Sequence, residues 1–413
     1  MENRIPLPRG AVVGMVTAIL PLCAVACSTE PGPSTAVVTD SSGVQIVESI
    51  GPVWSEGSGW RLSDQPALNL GVLDGDPAYQ FYEIRGAWRL TDGRIVVADG
   101  GASELRYFDS NGAYLLSVGE EGGGPGEFGS MGSLSATPGD TVVVLDGRNR
   151  RISYFDPSGA FIRSVPLQFL AETGGSPTLM TPFDDGTLII GVQNLFGSGG
   201  FGGGLTRGEV VYVRCDTTGA LMDTLAVRAG MEMYTAVQGD NRLAGVRPFG
   251  RSSQTAAHSN GFFLGGGDTY EIEYRNKEGV LLRSIRQPVE NMQVTQADLE
   301  AYRRKKIENA ESERQRQVEE TLFGLIPFPE SYPAYRDFVV DADGNLWVGV
   351  YRRPDDDQPR WTVFDTDGRM LGEVQTPDGF TIFQIGRDFV LGRWADELEV
   401  HHVVMYELLR GGR

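Results

Sequence analysis

A strand-and-turn unit that recurs along the chain is the feature that most constrains its fold. In the clearest copy, residues 90–99 and 104–119, two apolar strands flank an Asp-Gly turn and two more flank an Asp-x-x-Gly turn. Gly supplies the positive φ of a tight hairpin, and Asp caps the slightly longer turn. A sequence that repeats one four-stranded unit predicts an all-β chain of successive small sheets.

Counting the turns gives six units, of which the sixth lacks its outer strand. Residues 67–71 match residues 115–119 of the first unit, so we expect an N-terminal strand to complete the last one. A ring closed in this way leaves no long unpaired edge. The pattern therefore predicts an all-β, six-bladed β-propeller, with a further strand at residues 44–48 beside the closure. The later units begin near residues 139, 185, 260, 343 and 387.

Two stretches carry a resemblance to a known repeat. Residues 119–128 read Gly-x-x-Gly-x-Gly-Pro-Gly-Glu-Phe, and residues 151–159 read Arg-Ile-x-x-Phe-Asp-x-x-Gly. Both resemble NHL-type repeats, and the chain is similar to bacterial lipoproteins described as six-bladed β-propellers with NHL-like repeats. This resemblance implies the fold and little about activity.

Composition agrees with many short strands and disfavours one class of partner. The 413 residues include 55 Gly and 22 Pro, which indicates abundant turns. The formal net charge of −19 repels a phosphate backbone, so we expect no nucleic-acid binding. Of the three cysteines, two lie in the first thirty residues, and we expect Cys215 to be a buried structural thiol.

The N-terminus has the features of an export signal. Arg4 and Arg9 precede an apolar run over residues 11–25, which is short for a membrane-spanning helix. The run ends in Ala-Val-Ala-Cys27, which resembles the lipobox of bacterial lipoproteins. The resemblance implies that Cys27 is lipidated and becomes the mature N-terminus; conventional cleavage after Ala26 is the alternative.

These features divide the chain into three parts. We expect a lipoprotein signal peptide at 1–26, a flexible tether at 27–43 and the propeller at 44–413, because residues 28–39 are rich in Ser, Thr, Pro and Gly. Acyl chains on Cys27 would anchor the protein in the cell envelope. Since Ser28 replaces the Asp of an inner-membrane retention signal, the outer membrane is the expected site, with display on its periplasmic or surface side.

Two insertions interrupt the repeat. A Gly-rich run at 191–208 lacks the ending of a phosphate-binding loop, which favours a mobile surface loop over a flap that closes on a ligand. A charged segment at about 292–326 begins with Thr295-x-x-Asp298, a capping box, and predicts a helical insertion. It fits a solvated arm packed on one rim; a lid or a partner-docking element is the alternative.

No catalytic or metal-binding motif stands out. The three histidines are His258, His401 and His402, and the two adjacent ones would point to opposite faces of a strand. We therefore predict no catalytic residue, no metal ligand and no cofactor. A divalent cation in the central channel is kept as the alternative, because some propeller enzymes hold one there.

Residues that enter the inner strands would line the mouth of the propeller, and several of them are arginine or tyrosine. Converging arginines on an acidic protein would suit an anionic ligand. The alternative is that each arginine pairs with a nearby carboxylate such as Glu83 or Asp337. The predicted ligand-binding residues are Tyr82, Arg85, Arg247, Arg251, Tyr335 and Arg336.

These observations favour an envelope-anchored binding or interaction propeller of unknown ligand. Its partner would be a protein, a peptide, a glycan or a small anionic ligand, and its membrane contact would be the lipid anchor. We expect a monomer. The alternative is a metal-dependent propeller enzyme, a lyase or lactone hydrolase, with its site in the central channel.

Overall fold

The structure is a computed structural model that describes residues 1, 35–193, 203–238, 241–310, 312–356 and 358–411. The predicted lipidation site, Cys27, lies outside the described residues, as does the centre of the Gly-rich insertion, residues 194–202. The blades lie within the unit Thr35–Arg413. Among the helices of the described residues, none is long and apolar enough to cross a membrane.

Six sheets follow one another in the described part of the chain. Within each sheet the strands of the blade itself form an antiparallel meander in sequence order, and strands from the N-terminal region are added to two of the sheets. Four strands precede the first blade: β1 (Ala36–Ser41), β2 (Val44–Ser49), β3 (Arg61–Leu62) and β4 (Leu68–Leu70). The first two blades contain β5 (Ile84–Arg89), β6 (Ile95–Asp99), β7 (Glu104–Phe108), β8 (Tyr114–Val118), β9 (Met131–Ala136), β10 (Val142–Asp146), β11 (Arg151–Phe155) and β12 (Phe161–Pro166).

The third blade has five strands with long outer members: β13 (Ser176–Pro182), β14 (Leu188–Gln193), β15 (Gly204–Cys215), β16 (Leu221–Gln238) and β17 (Asn241–Val246). The last three blades contain β18 (Gln254–His258), β19 (Gly261–Gly265), β20 (Glu271–Asn276), β21 (Leu281–Arg286), β22 (Phe338–Val340), β23 (Leu346–Gly349), β24 (Arg360–Phe364), β25 (Met370–Gln375), β26 (Thr381–Ile385), β27 (Phe389–Ala395) and β28 (His401–Leu409). The helices are α1 (Phe169–Thr173), α2 (Gln296–Glu308) and α3 (Glu313–Phe323), with a 3-10 turn at Pro77–Tyr79.

The first strands of the blades contact one another in the order β5, β9, β13, β18, β22, β26 and back to β5, so the blades form a closed ring around them. The predicted all-β, six-bladed propeller is confirmed. Hydrophobic clusters fill the spaces between neighbouring blades. One of them joins Val96 and Tyr107 of blade one to Met131 and Phe155 of blade two.

The predicted turns form for the reasons given by their residue types. In the turn between β7 and β8, the Asp109 carboxylate accepts hydrogen bonds from the backbone N–H groups of Asn111 and Ala113, each at 2.8 Å. Gly112 has a φ of 87°. A Cβ at Gly112 would also lie 2.8 Å from a methyl carbon of Leu68 and of Leu70, so glycine makes room there for the closing strand.

The ring closes through the N-terminal strand that the sequence predicted. Strand β4 pairs with β28, with Leu70 opposite Val403 and Leu68 opposite Met405. Leu70 is 3% exposed and packs in a cluster with Ile84 of blade one and Val403 of blade six. The N-terminal strand thus completes the last blade and fills the space beside the first.

The strand predicted at residues 44–48 forms, but its predicted place beside the closure is wrong. Strand β2 pairs in parallel with β21, the outer strand of blade four, and β1 continues the sheet outward. Because β1 begins at Ala36, the predicted tether of residues 27–43 extends too far, and residues 36–43 belong to a β-hairpin. An alternation of apolar and polar residues predicts a strand but does not determine which strand it pairs with.

Between β2 and β4 the chain follows the outer side of blade five. The backbone N–H of Trp54 donates to the carbonyl of Leu371 at 2.8 Å. The Trp60 ring lies 6.1 Å from the buried Trp347 ring, and the Arg410 guanidinium lies 4.3 Å from the Trp60 ring. We call residues 36–70 the N-terminal strap, since they contact blades four, five and six in turn.

The helical insertion between blades four and five is present as predicted, as two helices rather than one. Helix α2 begins with the capping box in which Thr295 and Asp298 bond each other's backbone N–H groups. Helix α3 follows after a short break, and the Arg303 guanidinium of α2 lies 5.7 Å from the Phe323 ring of α3. We call α2 and α3 the helical arm.

Candidate functional site

Two of the predicted ligand-binding arginines are paired with a carboxylate beside them in the sequence. Arg85 lies 2.8 Å from Glu83, and both side chains are about half exposed. Arg336 lies 3.1 Å from Asp337, with its guanidinium 5.3 Å from the Trp361 ring. Both contacts agree with the alternative interpretation, in which each arginine pairs with a nearby carboxylate.

The other two predicted arginines hold the chain that returns from the helical arm. Arg247 donates to the carbonyl of Pro327 and pairs with Glu232 at 2.9 Å. Arg251 donates to the Ser331 hydroxyl at 2.9 Å. It also lies 3.3 Å from the Asp268 carboxylate. Two nitrogens of each guanidinium are therefore engaged in contacts around blades three and four and the segment that returns from the arm.

The two predicted tyrosines differ in exposure. Tyr82 is 69% exposed, whereas Tyr335 is 2% exposed and lies in the core between blades four and five. The Tyr335 hydroxyl donates to the carbonyl of Glu271 and accepts from the backbone N–H of Gly267. Burial raises the pKa of Tyr335 well above its ordinary value. No hydrogen bond or ion pair between described residues joins any two of the six predicted ligand-binding residues.

The central channel is a cavity of about 470 Å³ lined by the inner strands of all six blades. Its polar side chains include hydroxyls such as Ser135 and Thr181, the Gln384 amide, the His258 imidazole and the Asp341 carboxylate. Gln384 is held by the backbone of Arg89, whose N–H donates to the Gln384 side-chain oxygen at 2.7 Å. Within the described ranges, no group of three or more His, Cys, Asp or Glu residues is placed to hold a metal ion.

His402 and Cys215 both have structural surroundings. His402 contacts Asn69 of the closing strand at 2.9 Å and Asp396 at 3.5 Å, so it belongs to the ring closure. Cys215 is fully buried, and burial raises the pKa of its thiol to about 12. A thiol with so high a pKa is a poor nucleophile at neutral pH.

A second cavity, of about 460 Å³, lies between the helical arm, the loop after β17 and the loop between β23 and β24. We call it the arm pocket. Its size is within the range of small-molecule sites, about 300–1,000 Å³. Its lining residues are Phe249, Tyr302, Lys305, Lys306, Asn309, Gln315, Glu319, Tyr351, Arg352, Arg353 and Pro354.

Aromatic rings form the apolar part of the arm pocket. Phe249 packs edge-on against Tyr302 of α2, with ring centres 5.4 Å apart, and lies 5.0 Å from Tyr332. Tyr332 in turn packs 5.1 Å from Tyr351. The φ of Phe249 is 58°, a left-handed conformation that is unfavourable for a bulky residue. Such strained residues persist where their surroundings fix them, and they are frequent at ligand sites.

The charges of the arm pocket are predominantly positive. Arg353 pairs with Asp298 at 2.8 Å, and Arg352 pairs with Asp378 at 2.6 Å. Lys305 donates to the carbonyl of Pro354, and the Lys306 ammonium lies 5.9 Å from the Tyr302 ring.

Neither lysine has a carboxylate within 4.0 Å among the residues that the structure describes. Both are exposed, and each ammonium therefore has donors left for a ligand.

The pKa values of the tyrosines and carboxylates around the arm pocket leave their protonation states unchanged at neutral pH. Burial raises the pKa of Tyr302 and of Tyr351 to about 12, so both phenols stay protonated and can donate a hydrogen bond. The hydrogen bond from Arg352 holds the pKa of Asp378 below its ordinary value. Burial acts to raise the pKa of Asp298, but the hydrogen bonds from Thr295 and Arg353 outweigh it and lower the pKa.

The arm pocket was not predicted from the sequence, although one signal for it was present. Of the 36 lysine and arginine residues, three are lysines: Lys277, Lys305 and Lys306. Lys277 pairs with Asp185 at 2.6 Å. The two adjacent lysines therefore stand out in an arginine-rich chain. What the sequence does not show is that they face Phe249 and the loop of Tyr351.

The six blades, the closed ring and the channel define the class of this protein as a six-bladed β-propeller. Residues 84–189 match a family model described as a 6-bladed beta-propeller. No match was found among curated proteins.

Solved structures with a similar fold share little sequence with the chain. A member of the DUF4221 family from Bacteroides vulgatus is 10% identical over 86% of this chain and 100% of its own, with a TM-score of 0.51. An exported protein from Bacteroides fragilis is 13% identical over 87% and 97%, with a TM-score of 0.47. Virginiamycin B lyase from Staphylococcus aureus is 10% identical over 81% and 82%, with a TM-score of 0.39. At these identities the likeness concerns the fold alone.

Proposed function

We propose that this chain is a non-catalytic binding propeller, attached to the cell envelope by a lipid on Cys27, and that the arm pocket binds a small anionic ligand. The observation that carries the proposal is the pair Lys305 and Lys306, on a protein of net charge −19. Among the described residues, no carboxylate lies within 4.0 Å of either ammonium group. The acidic surface elsewhere repels anions, so an anionic ligand would bind preferentially at this local cationic site.

The arrangement fits an anionic group attached to a flat or apolar body. The lysine ammonium groups would bind the anion, while Phe249, Tyr302 and Tyr351 would contact the body of the ligand. Aromatic rings offer an apolar face, and the two tyrosine hydroxyls add polar contacts at the rim. Arg352 and Arg353 are already engaged by carboxylates, so their part is to hold the loop in place.

Thermal unfolding in the presence of organic anions tests the proposed site. The panel is citrate, phenyl phosphate, galacturonate and galactose 6-sulfate, each added to the purified propeller. We expect at least one of them to raise the Tm of the wild type, because a ligand that binds the folded state stabilises it. The double variant Lys305→Ala/Lys306→Ala should lose that shift, whereas Lys305→Arg/Lys306→Arg should keep most of it.

Lysine acetylation followed by mass spectrometry gives an independent measurement with a built-in control. The bound anion should protect Lys305 and Lys306 from acetylation and leave Lys277 unchanged, since Lys277 lies in the turn after β20. No Tm shift with any of the four anions would contradict the proposed site. So would an unchanged shift in the alanine double variant.

The enzyme alternative predicts a different result. A metal-dependent lyase or hydrolase would need a divalent cation in the central channel. Elemental analysis of the protein purified without chelator, showing about one equivalent of Ca²⁺, Mg²⁺ or Zn²⁺ per chain, would favour the enzyme over the binding protein.

A further inference from the structure

A third cavity adjoins the arm pocket along the loop between β23 and β24. It measures about 460 Å³ and shares Tyr351 and Arg352 with the arm pocket. We call it the outer pocket. Because the two cavities have these lining residues in common, they adjoin at Tyr351 and Arg352. The outer pocket is lined by Val350, Tyr351, Arg352, Asp356, Gln358, Arg360 and Gln375.

The outer pocket is lined by a different chemistry from the arm pocket. Gln358 and Gln375 are exposed, and their amides offer both hydrogen-bond donors and acceptors. Arg360 is about half exposed and pairs with Glu373 at 2.9 Å. Arg352 holds the loop by donating to the carbonyl of Asp356 at 2.7 Å. The Asp356 carboxylate in this lining accepts a hydrogen bond from the backbone N–H of Arg353. The amides and the arginine suit a hydroxyl-rich sugar.

The loop itself is fixed at both of its ends. The backbone N–H of Arg353 donates to the Asp356 carboxylate at 2.8 Å, and the Arg352 guanidinium reaches Asp378 in the loop before β26 at 2.6 Å. The backbone N–H of Val350 donates to the carbonyl of Arg360 at 2.9 Å. Arg352 and Arg353, held in this way, present their side chains in a defined arrangement, which lowers the entropy lost on binding.

On the basis of the proposed function, we propose that the ligand is an acidic oligosaccharide that occupies both pockets. A terminal uronic acid would place its carboxylate on Lys305 and Lys306 and its C–H face on the aromatic rings of the arm pocket. The next sugar would place its hydroxyls on Gln358 and Gln375. Each hydroxyl both donates and accepts a hydrogen bond, as do the glutamine amides.

An acidic peptide fits the outer pocket less well than an oligosaccharide. Extended peptides are commonly bound by adding a strand to an open sheet edge. Here Arg360 and Gln375 are paired with each other across β24 and β25, and the backbone of Trp54 in the N-terminal strap covers part of β25. The strap thus occupies the start of the β25 edge, and what the outer pocket offers a ligand is mainly side chains.

Isothermal titration calorimetry with galacturonate, digalacturonate and tetragalacturonate tests the inference. We expect the affinity to rise at least tenfold from the monomer to the tetramer, because the longer ligand reaches the second pocket. Tetragalactose, which lacks the carboxylates, should not bind measurably. Lys305→Ala/Lys306→Ala should remove binding of both monomer and tetramer.

The double variant Gln358→Ala/Gln375→Ala separates the two pockets. It should reduce the affinity for tetragalacturonate to that for galacturonate and leave the monomer unaffected. Gln65→Ala, an exposed glutamine in the N-terminal strap, is the matched control and should change neither.

Three results would overturn the inference. They are equal affinity for monomer and tetramer, no effect of the glutamine variant on the tetramer, and tetraglutamate binding as tightly as tetragalacturonate. The last result would point to an acidic peptide. If citrate or phenyl phosphate binds in a lysine-dependent manner and the uronates do not, this inference fails while the proposed function stands. If no anion binds, the proposed function itself fails.

Discussion

Shortening Leu70 tests how much the closing strand contributes to the stability of the whole ring. Leu70 is 3% exposed and packs with Phe81, Ile84, Leu391 and Val403, so it touches the first and the last blade. The change Leu70→Ala keeps the backbone pairing of β4 with β28 but removes the side chain that fills the space between the two blades.

The expected loss follows from the carbon atoms removed and the cavity left behind. Three buried carbons at about 0.8 kcal/mol each give about 2.4 kcal/mol. The unfilled cavity raises this to about 3 kcal/mol, within the 2–5 kcal/mol range for such changes. A unit of roughly 380 residues, Thr35–Arg413, has an unfolding entropy of about 0.8 kcal/mol/K. The free-energy loss therefore corresponds to a fall in Tm of about 4 °C.

Differential scanning calorimetry of Leu70→Ala and of a control, Leu115→Ala, measures this effect. Leu115 lies on the outer strand of blade one and is 45% exposed, so its loss should shift Tm by less than about 1 °C. If the two variants unfolded at the same temperature, the closing strand would not limit the stability of the ring. A separate early transition in Leu70→Ala would show that the blades do not unfold as one unit.

Three further outcomes are expected. Asp298→Ala removes the capping box of α2 and the carboxylate partner of Arg353. The helix should lose about 1 kcal/mol of stability. Limited digestion with trypsin should therefore cleave the helical arm much faster than in the wild type. Burial acts to raise the pKa of Asp185, but its hydrogen bonds, first the one from Lys277, lower it. The Asp185 carboxylate therefore stabilises the fold above its unfolded pKa of about 3.9, and this stabilisation is lost as the pH falls from there towards the lower pKa of the folded state. Asp185→Asn should lower the Tm at pH 7, and its difference from wild type should begin to narrow below about pH 4. Replacing Cys27 with Ser should move the protein from the membrane fraction to the soluble fraction of cells that express it, as detergent phase partitioning would show.

Each of these predictions has a result that contradicts it. Unchanged proteolysis of Asp298→Ala would mean that packing alone holds the arm. A constant Tm difference between Asp185→Asn and wild type from pH 7 to pH 3 would exclude the carboxylate as the titrating group. Continued membrane attachment of the Cys27 variant would rule out the lipid as the anchor.

The sequence predicts the blades well because each one is held together by local signals. A turn such as the one at Asp109 and Gly112 is formed by residues within four positions of one another, so its residue types determine its geometry. The closure by β4 could also be predicted, since the sixth unit lacks a strand and the N-terminus supplies one of the same pattern. The position of β2 could not, because its alternating residues fit any open edge of a sheet.

The candidate site is harder to predict because its parts come from distant segments. Phe249, Tyr302 and Tyr351 are separated by about fifty residues each, and they meet because the helical arm folds back over the blades. The arginines chosen from the sequence were selected by their position before inner strands. Their partners include the backbone carbonyl of Pro327 and the hydroxyl of Ser331. Neither proline nor serine in a sequence indicates that an arginine will bind there.

The N-terminal strap also has a consequence for the order in which the protein folds. Asn69 and His402, which meet where the ring closes, are 333 residues apart in the chain. During synthesis, the strap emerges first, and its partners on blades five and six emerge last. The early blades can each form as local meanders, but the ring becomes complete only when β28 is available. Contacts this far apart in sequence slow folding. A chain cut short before β28 would leave β4 without its partner and blade six with an open edge, the kind of edge on which other chains aggregate.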